Sequence, residues 1–135
     1  MIYLDTSVIV SYVDEEDPNH GRAVELLGRL MEDRVASQLT LLELAAVYSR
    51  AGLPNPVSLA VYSLRVVGAS LVDVDLNQVS RQALRYAQLL RLRTLDLLHV
   101  VAARMLGASA VASFDKEIAE RAGAIREALG LEFVG

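Results

Sequence analysis

The sequence predicts an α/β protein with a mostly parallel central sheet that is covered by helices on both faces. Short apolar segments, typical of buried strands, alternate along the chain with longer segments whose apolar residues recur at helical spacing. The 135 residues are enough for one domain and too few for two. No glycine- or serine-rich linker, repeat or low-complexity tract divides them, so we expect a single domain over residues 1–135.

The predicted strands are the short apolar runs. The first, Ile2-Tyr3-Leu4, is followed at once by Asp5-Thr6-Ser7, which is typical of a buried strand that runs into a helix N-terminus. Such strands, when separated by helices, form a parallel sheet. We predict strands at residues 2–4, 35–37, 71–74, 110–113 and 131–134.

The predicted helices lie between these strands. From Ala23 to Met31 the apolar residues have the spacing of an amphipathic helix, and Gly52 and Gly107 end two other helical segments. We predict helices at residues 8–13, 20–34, 40–51, 57–67, 76–92, 95–106 and 116–122.

Composition excludes several classes of protein. The chain has no cysteine, which rules out a disulfide framework and a cysteine-based zinc site. Its net charge is −4, from 13 basic and 17 acidic residues, whereas a module that simply coats nucleic acid would be basic. No apolar stretch approaches the roughly 20 residues that a membrane helix needs, and residues 1–5 lack the charged region of a signal peptide. We therefore expect a cytoplasmic protein that does not enter a membrane.

Acidic residues mark the junctions between the predicted strands and helices. Asp5 and Asp115 follow strands, and each has the ordinary explanation of a helix cap. Thr40 and Glu43 match the T-x-x-E capping box, in which the glutamate bonds the N–H of the cap residue. Asp96 could interact with a helix dipole. Glu43 and Asp96 nevertheless lie in nearly all-apolar runs, where an unpaired carboxylate is expensive.

A parallel sheet would bring these acids together, because its ligand site lies beyond the carboxyl ends of the strands. Several carboxylates within a few ångströms cannot all stay ionised without a cation. Oxygen ligands of this kind select Mg²⁺, or Mn²⁺, over zinc. Of the two histidines, we expect His20 at the surface and His99 in the core as a packing residue instead of a ligand. The predicted ligands are Asp5, Glu43, Asp96 and Asp115.

At these acids the sequence resembles the PIN domain, specifically its VapC-type toxin branch. Four blocks carry the resemblance, at residues 3–10 (YLDTSVIV), 37–44 (SQLTLLEL), 95–103 (LDLLHVVAA) and 112–119 (ASFDKEIA). Each block is weakly specific alone, but all four occur in order over essentially the full length of the chain. The resemblance implies a three-layer αβα sandwich around a short parallel sheet.

The resemblance also implies an activity and partners. It implies an endoribonuclease that cleaves single-stranded RNA, that forms homodimers, and that a small antitoxin protein neutralises. The implied site comprises the four acids with hydroxyl support from Thr6, Ser7 and Ser113. Some relatives carry a further acid two residues after the fourth, and Glu117 stands there as glutamate instead of aspartate.

Each implied site residue has an expected role. We expect Asp5 and Asp96 to be the principal ligands of Mg²⁺, with Asp115 bound directly or through water. Glu43 would either bind the metal or accept the proton of the water that the metal activates.

Positive charge beside these acids would be needed to hold the substrate phosphate. Arg91 and Arg93 lie between two predicted helices, just before Asp96, and are the best candidates, with Arg50 and Arg85 as weaker ones. A solvated arginine on a helix face is the ordinary alternative for each.

Other functions stay open at this point. The chain could be a catalytically weak or inactive RNA- or protein-binding module on the same scaffold, or a housekeeping processing nuclease instead of a toxin. The apolar residues between Val57 and Val67 would either seat a partner helix or belong to the core.

Overall fold

A five-stranded sheet forms the centre of the computed structural model, which describes residues 1–135. All neighbouring strands are parallel, in the order β3-β2-β1-β4-β5. The α/β class and the parallel sheet predicted from the sequence are therefore confirmed. The strands are β1 (Ile2–Leu4), β2 (Arg34–Ala36), β3 (Ala69–Leu71), β4 (Ala110–Ala112) and β5 (Glu132–Val134).

Eight helices join the strands. They are α1 (Thr6–Val13), α2 (His20–Arg29), α3 (Gln38–Arg50), α4 (Pro56–Val66), α5 (Leu76–Leu90), α6 (Thr94–Met105), α7 (Lys116–Glu120) and α8 (Ala122–Leu129). None of them combines the length and the apolar character that crossing a bilayer requires.

The sheet has an apolar core on each face, which makes the molecule a three-layer sandwich. Successive side chains of a strand point to opposite faces, and in β1 Tyr3 packs into one core while Ile2 and Leu4 pack into the other. The Tyr3 core is completed by residues of α5, α6 and α8, and the opposite core by residues of α1, α2, α3 and α4. The three layers implied by the sequence resemblance are confirmed.

The strand order determines where a site can form. The chain adds β2 and β3 on one side of β1 and then returns to add β4 and β5 on the other side. A crevice opens at such a switch point, beyond the carboxyl ends of the central strands. Asp5 follows β1 directly, and Asp115 follows β4 after Ser113 and Phe114. Both are therefore brought to the same edge.

Two predicted elements have different bounds in the structure. The helix predicted at 20–34 ends at Arg29, and Arg34 already begins β2. The Arg34 guanidinium donates to the main-chain carbonyls of Leu27 and Val67. The strand predicted at 71–74 is β3 at Ala69–Leu71. Beyond it the Gln38 side chain replaces a neighbouring strand, donating from Nε2 to the Val74 carbonyl at 2.6 Å and accepting from the Val74 N–H at 2.8 Å.

Helix α8 was not predicted. It lies between the helix predicted at 116–122 and the last strand, and Gly123, a poor helix former, is its second residue. Gly130, at a φ of 69°, ends the helix in the left-handed conformation that glycine favours. The other predicted elements have bounds within two residues of those observed.

The apolar residues of helix α4 were predicted either to seat a partner helix or to belong to the core, and the structure places some in the core and others at the surface. Ala60 and Leu64 are buried against the sheet, and Val67 follows them into the core. Val57 and Val61 lie on its exposed side. The helix thus contributes to the core with one face and leaves an apolar face uncovered.

Candidate metal centre

The four predicted acids lie in one cleft of about 380 Å³ at the carboxyl edge of the sheet. The cleft also receives polar side chains from α1 and from the segment before α2. Asp5, Glu43, Asp96 and Asp115 come from four separate parts of the chain and meet there. A larger depression of about 560 Å³ lies beside the other ends of β1, β2 and β3 and contains none of these acids.

Asp5 does not cap helix α1 with its side chain, although it occupies the cap position. Its Oδ2 accepts hydrogen bonds from Ser7 Oγ at 2.7 Å and from Ser113 Oγ at 2.8 Å. Those two hydroxyls in turn accept from the N–H groups of Phe114 and Asp115, each at 3.0 Å. Both donors are used on Oδ2, so Oδ1 is left for a ligand in the cleft.

The capping-box interpretation of Glu43 is wrong. Helix α3 begins at Gln38, and its cap is Ser37, whose Oγ accepts from the Leu39 N–H at 3.2 Å. Thr40 therefore lies inside the helix. Glu43 points to another element, with Oε1 3.0 Å from Nε2 of His99 on α6.

His99 is fully buried, as expected of a core residue, but its bond to Glu43 was missed. Its Nδ1 lies 2.7 Å from the Tyr3 hydroxyl. The signal was present in the sequence, because a histidine within an apolar run must find hydrogen-bond partners. Ligand atoms of Asp5, Glu43 and His99 all lie within 4.8 Å of one another. We call these three residues the hydrogen-bonded half of the cleft.

Glu43 remains ionised more readily than an ordinary glutamate. Burial alone would raise the pKa of its carboxyl, but the hydrogen bond from His99, the Thr6 hydroxyl and the charges of His99 and Arg50 outweigh burial and lower that pKa. The carboxylate is therefore stabilised from within the protein.

Asp96, Asp115 and Glu117 form a second group, with ligand atoms that also lie within 4.8 Å of one another. We call them the open half. Asp115 caps α7, since its Oδ1 accepts from the Glu117 N–H at 2.8 Å, so the ordinary explanation holds for one of its two oxygens. Glu117 forms an exposed ion pair with Arg93 at 2.9 Å.

Asp96 is the least compensated of the four acids. It lies half-buried in the first turn of α6. Burial, followed by the negative charges of Asp115 and Asp5, raises the pKa of its carboxyl from 3.8 to about 6. At neutral pH this carboxylate is ionised although its neighbours are also negative, and a cation in the cleft would relieve the repulsion.

The residues of the cleft fit a hard divalent cation. Its charged donors are carboxylate oxygens, the ligands that Mg²⁺ and Mn²⁺ prefer. The Thr6 hydroxyl is buried in the same cleft near the Glu43 carboxylate, whose pKa it lowers, but its Oγ1 makes no hydrogen bond of normal geometry, which is rare for a buried hydroxyl. A cation with its coordinated water would satisfy both the excess charge and this atom.

The predicted arginines lie at different distances from the acids. Arg91 and Arg93 are exposed and, with Arg121, line a separate depression of about 370 Å³. Glu117, a member of the open half, also lines this depression. Arg50 is exposed and stabilises the Glu43 carboxylate. Arg85 is exposed on α5 and lines neither depression.

One cation beside the cleft was missed altogether. The Arg22 guanidinium lies 4.3 Å from the centre of the Phe114 ring, and Phe114 lines the cleft. Nothing in the sequence links these two residues, which are far apart along the chain and meet only when α2 packs beside the end of β4.

Comparison with known proteins decides the family. A family model described as the PIN domain matches residues 2–124. The chain belongs to the PIN domain family. The match includes all four acids of the cleft and the sheet as far as β4. Among curated protein sequences, none matches this chain.

Solved structures share this PIN fold over nearly the whole chain. VapC20 from Mycobacterium tuberculosis, described as a toxin that cleaves the sarcin-ricin loop, is 19% identical with a TM-score of 0.73, covering 89% of this chain and 94% of that one. FitAcB from Neisseria gonorrhoeae is 21% identical with a TM-score of 0.67, covering 100% and 97%. VapBC2 from Rickettsia felis, bound to a DNA fragment from its promoter, is 19% identical with a TM-score of 0.58, covering 98% and 98%. Identities this low show the shared fold alone.

Proposed function

We propose that this PIN domain is a cytoplasmic, Mg²⁺-dependent endoribonuclease that cleaves single-stranded RNA and acts as the toxin of a toxin–antitoxin pair. The observation that carries the proposal is the meeting of Asp5, Glu43, Asp96 and Asp115 in one cleft at the switch point of the sheet. Mn²⁺ has the same ligand preference and is the alternative metal.

The biological setting is inferred from similar structures. VapC20 is described as a toxin that cleaves the sarcin-ricin loop, and a similar structure from Klebsiella pneumoniae is described as a toxin–antitoxin complex. We extend this role to the present chain, with a small antitoxin protein as its partner and a homodimer as its assembly. The uncovered apolar face of α4 is consistent with contacts to another chain.

Each acid has a role that its surroundings support. Asp5, through the oxygen that accepts no serine hydroxyl, and Asp96 would be the principal metal ligands. Asp115 has one oxygen engaged as a helix cap and would bind with the other, directly or through water. When bound, the divalent cation withdraws charge from the scissile phosphate and lowers the pKa of a coordinated water.

Glu43 would bind the metal, directly or through a coordinated water, and it also has the chemistry of a proton acceptor. The carboxylate is ionised near neutral pH and lies in the cleft, so it can accept a proton from the attacking water, which a bound metal would make more acidic, as the phosphodiester bond breaks. The serine hydroxyls of Ser7 and Ser113 hold Asp5 in place and take no direct part. Arg91 and Arg93, beside the open half, would hold a phosphate next to the one that is cleaved.

A cleavage assay tests the proposal. The purified chain is incubated with a mixed single-stranded RNA, with Mg²⁺, with Mn²⁺ or with a chelator, and beside it Asp96→Asn and the matched control Glu127→Gln, which neutralises an exposed acid on α8. We expect metal-dependent cleavage by the wild type and by Glu127→Gln, and much slower cleavage by Asp96→Asn. Equal cleavage by all three would indicate a contaminating nuclease. RNA binding without metal-dependent cleavage would favour the inactive binding module.

A further inference from the structure

Buried polar side chains connect Glu43 to the centre of the sheet. The Tyr3 hydroxyl, from β1, lies 2.7 Å from His99 Nδ1, 2.8 Å from Ser37 Oγ and 3.1 Å from Thr40 Oγ1. His99 Nε2 continues the chain to Glu43 Oε1 at 3.0 Å. Tyr3 and His99 are fully buried, so water does not compete for these bonds. The network joins β1, α3 and α6 directly behind the cleft.

The position of one proton follows from the geometry. The contact between His99 Nε2 and Glu43 Oε1 requires a proton between them, since two lone pairs at 3.0 Å would repel. A glutamate is more acidic than an imidazolium or a neutral imidazole, so the proton belongs to Nε2. This holds whether the ring is neutral, with Nδ1 accepting from Tyr3, or charged, with Nδ1 donating to it.

We propose that His99 is the positioning residue of the metal centre, whose Nε2–H holds Glu43 toward the cleft while Tyr3 holds the ring of His99. This inference rests on the proposed metal site. The Glu43 side chain extends from α3 into the cleft, where a long glutamate side chain could otherwise adopt several rotamers. A hydrogen bond from a buried ring, itself fixed at its other nitrogen, limits that rotation before any metal arrives. Partners of this kind, one step behind the ligands, change metal affinity by about 10–100-fold when removed.

The two amide analogues of histidine separate positioning from packing. In His99→Gln the side-chain amide reaches the place of Nε2 and can still donate to Glu43, but the contact to Tyr3 is lost. In His99→Asn the shorter amide reaches only the place of Nδ1 and can bond Tyr3, but the donor to Glu43 is lost. Both variants remove the ring from the core, so both lose stability, whereas only one loses the bond that the proposal requires.

The test measures Mn²⁺ binding by calorimetry on the full chain, with Mn²⁺ electron paramagnetic resonance as a second readout. We expect His99→Asn to raise the Kd by about tenfold or more and His99→Gln to stay much closer to the wild type. Tyr3→Phe should give a smaller loss than His99→Asn, because the bond to Glu43 survives. Thermal unfolding of each variant shows that it is folded at the temperature of the titration.

A spectroscopic measurement keeps the inference testable even if a variant does not fold. Nitrogen-15 spectra of the wild-type histidine ring should show a proton on Nε2 of His99. A bare Nε2 would overturn the inference, as would unchanged Mn²⁺ affinity in a folded His99→Asn, or equal losses in the two amide variants. A wild-type chain that binds no Mn²⁺ would instead overturn the metal centre of the proposed function, and the role of His99 with it.

Discussion

The two halves of the cleft differ in how the protein compensates their negative charge. In the hydrogen-bonded half, two serine hydroxyls bond Asp5 and a histidine bonds Glu43. In the open half, Asp96 faces other carboxylates, and its pKa is raised to about 6. Glu43 shows the opposite shift, to a lower pKa. The sign of the pKa shift thus separates Glu43, which the fold stabilises, from Asp96, which it leaves unstabilised.

This difference indicates a division of work between the halves. The hydrogen-bonded half is held in place before any ligand binds, since its donors come from the sheet edge and from the core. In the open half the fold holds the Asp96 carboxylate close to other carboxylates. Their repulsion is relieved only when positive charge enters the cleft. We therefore expect Glu43→Gln and Asp96→Asn to act with opposite signs on stability, while both impair metal-dependent activity.

The largest effect is expected for Asp5→Asn. The asparagine oxygen can accept from Ser7 and Ser113 as Asp5 does, which turns the amide N–H₂ toward the position that the metal would occupy. Cleavage should fall by about two to three orders of magnitude, because metal ions supply several kcal/mol to such reactions, while the fold persists. Steady-state cleavage and a thermal melt check this. A melt far below that of the wild type, with activity retained, would mean that Asp5 is structural.

The next effect concerns stabilisation by metal. Without metal, Asp96→Asn should raise Tm at neutral pH because it removes a repelled charge. Adding Mg²⁺ at about ten times its Kd should stabilise the wild type by about 1.4 kcal/mol and should stabilise the variant much less. Calorimetric melts with and without Mg²⁺ check this. Equal metal shifts in both proteins would remove Asp96 from the proposed ligands and leave the open half without a role.

The pH dependence of stability tests the contrast directly, in melts of chelated protein between pH 4 and 8. The folded-state pKa of Asp96 lies above its ordinary value of 3.8, so this group stabilises the fold at low pH and loses that contribution as the pH rises through about 6. The Tm of Asp96→Asn should therefore exceed that of the wild type increasingly toward pH 8.

Glu43→Gln should show the reverse dependence. The lowered pKa of Glu43 contributes stability that is present above its ordinary value of 4.5 and is lost as the pH falls through the folded-state pKa. The variant should be less stable than the wild type at pH 8, and the difference should shrink in acid. Differences of the same sign for Glu43→Gln and Asp96→Asn would refute the distinction between the halves.

Much of the fold could be predicted because it depends on local patterns. Alternating apolar strands and amphipathic helices determine the layers, and parallel topology determines the edge where acids gather. The missed features depend on contacts between distant residues. Beyond the end of β3, Gln38 bonds to the Val74 backbone. At the end of α2, Arg34 bonds to the main chain of Leu27 and also to that of Val67.

The candidate site shows the same limit. The sequence predicted which acids would meet, but not which of them would act as caps, because a cap and a ligand occupy the same place at a helix start. The Thr40-x-x-Glu43 pattern satisfied the capping-box rule, yet α3 begins at Gln38 and Glu43 reaches His99 instead. The pairing of Arg22 with Phe114 has no local signal at all.

The smallest effect is expected at the arginines beside the open half. Arg91 and Arg93 are exposed, so their removal should leave Tm and the metal affinity nearly unchanged. If both contact phosphates, the double variant with alanine at each position should bind single-stranded RNA more weakly, and its dependence of log Kd on log salt should be shallower by about 1.4, or about 0.7 per lost contact. Arg85→Ala is the matched control, because that exposed arginine lines neither depression. A salt dependence equal to that of the wild type would mean that Arg93 only pairs with Glu117 and that neither arginine contacts the phosphates of the RNA.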